Sequence, residues 1–287
     1  IQQYAFSGLN HLTSVSIPNS VVSILNGAFH GCSALSSVSM SENVTEIAES
    51  LFDHCTNLSE IVLPDGITAI RRTAFSHCES LGSITIPQSC DTIGEDAFTN
   101  CRNLTSVDFS EGLLSIGMDA FFGCDKLERV VIPNSVVNIG QMAFIACSSL
   151  SYLVIGSSVE SIGREAFWSD SALDTIVSMA AVPPTLAADA FPPLAYQTVS
   201  RIVVPCGFKD DYLLSDWTRY FSEDTFVEDC GSGLIEFHGS EWYYEIVDEN
   251  GSITYQHLEY TADSTVNHKD VQIIIRTNTL YDKGEHQ

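Results

Sequence analysis

The sequence predicts an α/β fold of a particular kind. It is a right-handed solenoid of stacked 23-residue units with a parallel β-sheet along one side, followed by a small C-terminal β-hairpin domain. Three observations predict it. Phe6, Phe29, Phe52, Phe75, Phe98, Phe121, Phe144 and Phe167 recur every 23 residues with no insertion or deletion, and self-similarity at such a period marks a stacked array. Around each Phe the same apolar positions return. Beyond residue 178 the register decays, and beyond Gly231-Ser232-Gly233 the composition changes.

With each Phe as position zero, Ala precedes it in seven of eight copies, Leu51 being the exception. Three residues on stand Cys32, Cys55, Cys78, Cys101, Cys124 and Cys147, and six on stands a Leu in every copy, from Leu12 to Leu173. Apolar pairs follow at nine and eleven, such as Val15/Ile17, Ile84/Ile86 and Val130/Ile132. This period-two spacing predicts a short strand. Pro18, Pro64, Pro87 and Pro133 end it, because Pro has no N–H for the ladder. A Val or Ile and then a further Ile (Ile24, Ile47, Ile70 and their equivalents) complete the unit. Ala-Phe followed by small polar residues suits a turn or short helix on the opposite side. One unit cannot bury this apolar set alone, and stacked units bury it as a continuous column.

The run Cys124-Asp125-Lys126-Leu127-Glu128-Arg129-Val130-Val131-Ile132-Pro133, continuing to Ile139-Gly140-Gln141-Met142-Ala143-Phe144, resembles the BspA-like leucine-rich repeat family. The likeness extends over about residues 1–178. It implies a surface or secreted protein of the kind found in Bacteroides relatives and some mucosal protists, where some members are adhesins for host matrix proteins. Ile1 occupies the Ile slot five residues before Phe6, so preceding residues with an export signal or lipid anchor are expected.

With 37 acidic and 12 basic side chains the formal charge is −25. Such a field repels nucleic acid and anionic lipid surfaces. No run of 18 apolar residues is present, so no membrane-spanning helix is expected. Of nine cysteines, the six in the repeat column read as reduced core thiols, because stacked side chains run parallel, a poor geometry for bridging. Cys90 stands in a Val slot and reads as core. Cys206 and Cys230 lie off the column and are free to pair, a bond that an exported protein permits.

Residues 179–230 read as a C-terminal cap. Ala190-Phe191 is a ninth copy offset by one residue, Ile202-Val203-Val204-Pro205 is its strand, and Asp211 to Phe221 reads as a short amphipathic helix. The Pro-Pro, Val-Pro and Tyr…Trp…Phe features look like the caps of Bacteroides members. Residues 231–287 read as a small antiparallel domain. Asn250-Gly251 between two alternating aromatic runs is a type I′ hairpin signal. A two-residue turn would set Ile246 opposite Tyr255 and Tyr244 opposite His257, with Val271 to Arg276 as a third strand.

No His-Glu-x-x-His, Gly-x-Ser-x-Gly or phosphate-cradling Gly loop is present, so neither enzyme chemistry nor a cofactor is expected. His54-Cys55 and His77-Cys78 suggest zinc, but adjacent turn residues point different ways, and buried Cys beside solvent-facing His is the better reading. The informative surface is the outward face of the repeat strands, eight and ten residues after each Phe. It is hydroxylic in the N-terminal half. Towards the C-terminus it carries an apolar stripe of Val131, Val154 and Val177 beside Arg129 and Tyr152. Arg, Tyr and aliphatic clusters suit contact surfaces, although Val and Tyr are also simply good strand formers. The expectation is a non-enzymatic, extracytoplasmic recognition or adhesion protein. Its partner is expected to be a protein, such as host matrix, bound through this face. The alternatives are a glycan-binding surface protein for polysaccharide capture, or a spacer presenting another domain.

Overall fold

The structure, a computed structural model, describes residues 1–192 and 195–230 and the backbone of 242–247 and 253–258. The chain divides into two units, Ile1–Glu228 and Asp229–Gln287.

In the first unit the period-two segments form the expected strands. They include Ser14–Ser16, Ser37–Ser39, Ser83–Ile86, Ser106–Phe109, Arg129–Val131, Tyr152–Ile155 and Thr175–Ser178. They pair in parallel with a register of one repeat, as in Ser14↔Ser37, Ser83↔Ser106 and Arg129↔Tyr152, in three hydrogen-bonded runs that follow one another along the solenoid and together make its main sheet. Each strand turns its Val, Leu or Ile inward.

A second parallel sheet, absent from the sequence expectation, runs beside the first. Its seven strands are two residues long: Glu46–Ile47, Ala69–Ile70, Thr92–Ile93, Ser115–Ile116, Asn138–Ile139, Ser161–Ile162 and Thr185–Leu186. Once the main sheet sets a strand-like spacing between turns, any short extended segment meets its copy above and below. The second residue of each pair is buried.

On the Phe side the repeats form turns, and among the described residues α-helix is confined to Ala195–Thr198 and Lys209–Leu213 in the cap, with 3₁₀ turns over Asp216–Arg219 and Glu223–Thr225. The reason is a left-handed residue two positions before and two after each Phe. Ser50 and His54, Thr73 and His77, and Asp96 and Asn100 have φ between 51° and 59°, which ends a right-handed helix at once. The freed backbone groups pair between turns instead. The N–H of Phe52 donates to Ala74 O at 2.8 Å and that of Phe98 to Ala120 O at 2.7 Å, and the same bond recurs along the column.

The core is a set of columns. Phe rings stack from Phe6 to Phe191 with centroids 5.1–5.8 Å apart. Phe191, 24 residues after Phe167, keeps the stack at 5.3 Å despite its offset. The column ends against Trp217 and Phe221. Trp217 Nε1 donates to Pro184 O at 3.0 Å, and Tyr212 Oη donates to Ala180 O at 2.8 Å. The expected single cap helix is instead a helix over Lys209–Leu213 and a 3₁₀ turn over Asp216–Arg219. Ser215 separates them, its Oγ accepting from the Trp217 N–H. Cys206 and Cys230 are disulfide-bonded, and the other seven cysteines are free and buried.

In the second unit, strands Trp242–Val247 and Ile253–Leu258 pair antiparallel. Their register corrects the expected one. Val247 pairs with Ile253, Tyr244 with Gln256 and Tyr243 with His257, so neither Ile246–Tyr255 nor Tyr244–His257 forms. An odd number of residues between paired positions is incompatible with a two-residue turn. The Asn250-Gly251 turn and the strand expected at Val271 to Arg276 lie outside the described residues.

Candidate interaction face

The outward face of the main sheet changes character along the solenoid. In Ser83–Ile86 exposure alternates, with Ser83 and Thr85 open and Ile84 and Ile86 buried. Ser14, Ser16, Ser39, Glu60, Ser106 and Asp108 are likewise exposed, and Val62 is 84% exposed. In Tyr152–Ile155 and Thr175–Ser178 the alternation disappears and the last three residues of each strand are buried.

The five residues expected to form a patch are brought together by strand register. Arg129 pairs with Tyr152, and Val131, Val154 and Val177 stand side by side, followed by Val203. The Arg129 guanidinium carbon lies 4.2 Å from the Tyr152 ring centroid, a cation–π contact in a favoured geometry. Arg129, Tyr152 and Val131 are half-buried. Val154 and Val177 are 2% and 1% exposed, so the expected solvent-facing apolar stripe is narrower than its sequence pattern implies. Alternation identifies which face a side chain takes, and it carries no information on how deeply that face is covered.

On the Phe side the left-handed turns carry a polar cluster that sequence reasoning missed. His30 follows Phe29, and Asp53-His54 follow Phe52. Asp53 Oδ2 lies 3.5 Å from His30 Nε2, and Asp53 Oδ1 lies 2.7 Å from His54 Nδ1. The His54 and His77 rings stack with centroids 4.3 Å apart and planes 15° from parallel. Burial, followed by the neighbouring His54, lowers the pKa of His77. The sequence reading compared each His with the Cys beside it. The structure confirms that those thiols point into the core, where burial raises them out of reach of ionisation, Cys55 to about 12. The signal that finds the true neighbours is the column: positions one and two after Phe, compared between copies rather than along the chain.

A depression of about 460 Å³ lies beside the outward sheet face, lined by Val38, Met40, Glu42, Val62, Leu63 and Asp65 among others. It is open to solvent.

Comparison with known proteins adds the following. Residues 1–91 and 68–191 match the family described as BspA type leucine rich repeat region, in six copies. Among solved structures the chain is similar to a leucine-rich repeat protein from Bacteroides ovatus ATCC 8483, with 22% identity over 81% of this chain and 67% of that one and a TM-score of 0.43. It is similar to the T. pallidum leucine-rich repeat protein, with 30% identity over 57% of this chain and 69% of that one and a TM-score of 0.42. It is also similar to a leucine-rich cell surface protein from Faecalibacterium prausnitzii A2-165, with 22% identity over 80% of each chain and a TM-score of 0.35. No curated protein sequence matches. No helix among the described residues is long and apolar enough to cross a membrane.

Proposed function

This chain belongs to the BspA-type leucine-rich repeat family, and from that premise we propose that it is a non-enzymatic surface-interaction protein that binds a macromolecular partner through the outward face of its main sheet. The family is a repeat scaffold built for surface interaction. For this chain we assign residues 1–178 to the binding scaffold, 179–230 to the cap and 231–287 to a separate small β domain. An extracytoplasmic or cell-surface location is supported by the disulfide-bonded Cys206 and Cys230, since such bonds persist in oxidising compartments. The F. prausnitzii protein named above is described as a cell surface protein.

The observation that carries the reading is the Arg129–Tyr152 pair at 4.2 Å. It stands where the face changes from exposed and hydroxylic to buried and apolar, with Val131 half-buried two residues along the strand and Val154 and Val177 buried in register with it. Tyr supplies contact area at low entropic cost, and an arginine side chain can fork onto a carboxylate or sugar hydroxyl. The charge of −25 favours partners with basic segments and salt-sensitive association. The partner is a protein, with host matrix the leading class and a glycan the alternative. A second reading follows from the burial of Val154 and Val177: the contact shifts to the exposed ladder from Ser14 to Asp108.

An array of matrix proteins and glycans, probed with wild type and with the Arg129→Ala, Tyr152→Ala double variant, tests both. Loss of binding in a folded double variant supports the first reading. Unchanged affinity overturns it, and charge substitutions at Glu60 and Asp108 then test the second.

A further inference from the structure

We propose that His30, Asp53 and His54 form a binding site for a divalent transition-metal ion of the zinc class. The site is built by the repeat. One turn supplies His30 at the first position after its Phe, and the next supplies Asp53 and His54 at the first and second. Inter-turn hydrogen bonds fix these turns: Gly31 N–H donates to Asp53 O at 2.7 Å, and His54 N–H donates to Ser76 O at 2.8 Å. The ligands therefore stand on backbone held on both sides, and only their side chains need to move.

The geometry is close to what such an ion needs. Each residue offers one donor atom, and the three lie within 4.8 Å of one another. A tetrahedral ion with metal–ligand distances near 2.0–2.2 Å needs donors roughly 3.3 Å apart. The two carboxylate oxygens face the two rings separately, Oδ1 2.7 Å from His54 Nδ1 and Oδ2 3.5 Å from His30 Nε2, distances close to that spacing. The remaining edge closes by rotating two imidazoles whose side chains are 40% and 52% exposed, while the Asp53 side chain, 14% exposed, stays fixed between them.

The surroundings support the donor set. Ser7 Oγ lies 3.5 Å from His30 Nδ1. On the Nδ1–H tautomer the ring donates to this hydroxyl and turns Nε2 towards the ion, the outer-layer arrangement found around most metal-bound histidines. His77 stacks on His54 but is not a ligand. Its Nδ1 lies 2.9 Å from Ser76 Oγ and its Nε2 lies 3.2 Å from Asn100 Nδ2, so both nitrogens are engaged and the ring acts as a fixed wall. Two imidazoles and one carboxylate suit Zn²⁺, Cu²⁺ or Ni²⁺ over Ca²⁺ or Mg²⁺, which take oxygen ligands. Three protein donors leave the fourth position open, which makes the site exchangeable.

The test is a Zn²⁺ titration of the metal-stripped, tag-free full chain by calorimetry, with Co²⁺ visible absorption as the second readout. Wild type is expected to bind one equivalent at this site and to give the intense Co²⁺ bands of a tetrahedral centre. The triple variant His30→Ala, Asp53→Asn, His54→Ala keeps the other six histidines, so any remaining binding reports those. The inference requires at least a tenfold weaker affinity in that variant and loss of the Co²⁺ bands, with an unchanged circular dichroism spectrum. His77→Phe, which keeps the stack and removes both nitrogens, is expected to stay within threefold of wild type. Equal binding by wild type and the triple variant overturns the proposal, as does a His77→Phe defect as large as that of His54→Ala.

Discussion

Cys101 donates its thiol to the backbone carbonyl of Phe75, 3.2 Å away and 26 residues earlier in the chain. The same bond joins Cys32 to Phe6, Cys55 to Phe29, Cys78 to Phe52, Cys124 to Phe98 and Cys147 to Phe121. The Cys column is therefore a ladder of weak donors that reaches back to the preceding turn and engages a carbonyl in the crowded Phe turn. A residue small enough for the core, apolar enough to be buried and still able to donate is a narrow specification, and Cys meets it.

This arrangement fixes the thiol chemistry. Protein denatured without reductant is expected to show seven reactive thiols, rising to nine after reduction, because Cys206 and Cys230 are bridged. In the native protein the column thiols should react only as fast as the turns open. Nine thiols without reductant would show that the bridge does not form, and fewer than seven would reveal a second one.

Phe98→Ala should destabilise strongly. The ring is fully buried and stacks at 5.2 Å on Phe75 and 5.1 Å on Phe121. Its backbone is tied to the next turn, so the cavity has little freedom to collapse. Large-to-small precedent puts the loss at about 3–5 kcal/mol. Urea unfolding checks it, and a midpoint close to that of wild type would show that the column is not the core.

Gly117→Ala should also destabilise, through crowding rather than loss. A Cβ at Gly117 would sit 2.7 Å from Gly94 C and 2.8 Å from Glu95 N. Both are backbone atoms of the preceding turn, which cannot rotate away. A cost of about 1–3 kcal/mol follows from overpacking precedent. Thermal unfolding measures it, and an unchanged transition would mean that the turns are spaced more widely here.

The columns were legible in the sequence because each depends on one residue type recurring at one interval, Phe and Leu in all eight copies and Cys in six consecutive ones. The second sheet was not legible, since a two-residue bridge is too short to show a period of two. The hairpin register missed by one residue because Asn-Gly marks a turn without fixing how many residues flank it. For the candidate face, the sequence identified which side chains share a side and their order, and the structure brings Arg129 over Tyr152 accordingly. It could not show that Val154 and Val177 are buried. His30, Asp53 and His54 escaped notice because contacts in a solenoid run across copies, and chain adjacency directs attention to Cys55 instead.

Asp170 gives the last prediction, a pH dependence. It stands where the next ladder Cys belongs, fully buried, and neither carboxylate oxygen makes a well-formed hydrogen bond. Burial holds its carboxyl well above the usual range, with the Cys147 backbone pulling the other way. The sign follows from proton counting. Between its unfolded and folded pKa values Asp170 binds more protons folded than unfolded, so its contribution to stability is complete below the unfolded value and is lost as pH rises towards the folded one. Asp170→Cys restores the ladder residue and stays uncharged across that interval. The variant should therefore melt above wild type at neutral pH, and the gap should shrink as pH falls to about 4. Comparing the two chains at each pH cancels slopes from the other carboxylates, including Asp119, which burial and then Asp96 also raise. Calorimetry from about pH 4 to 8 reads the difference, and a gap independent of pH would show that Asp170 is ionised within the fold.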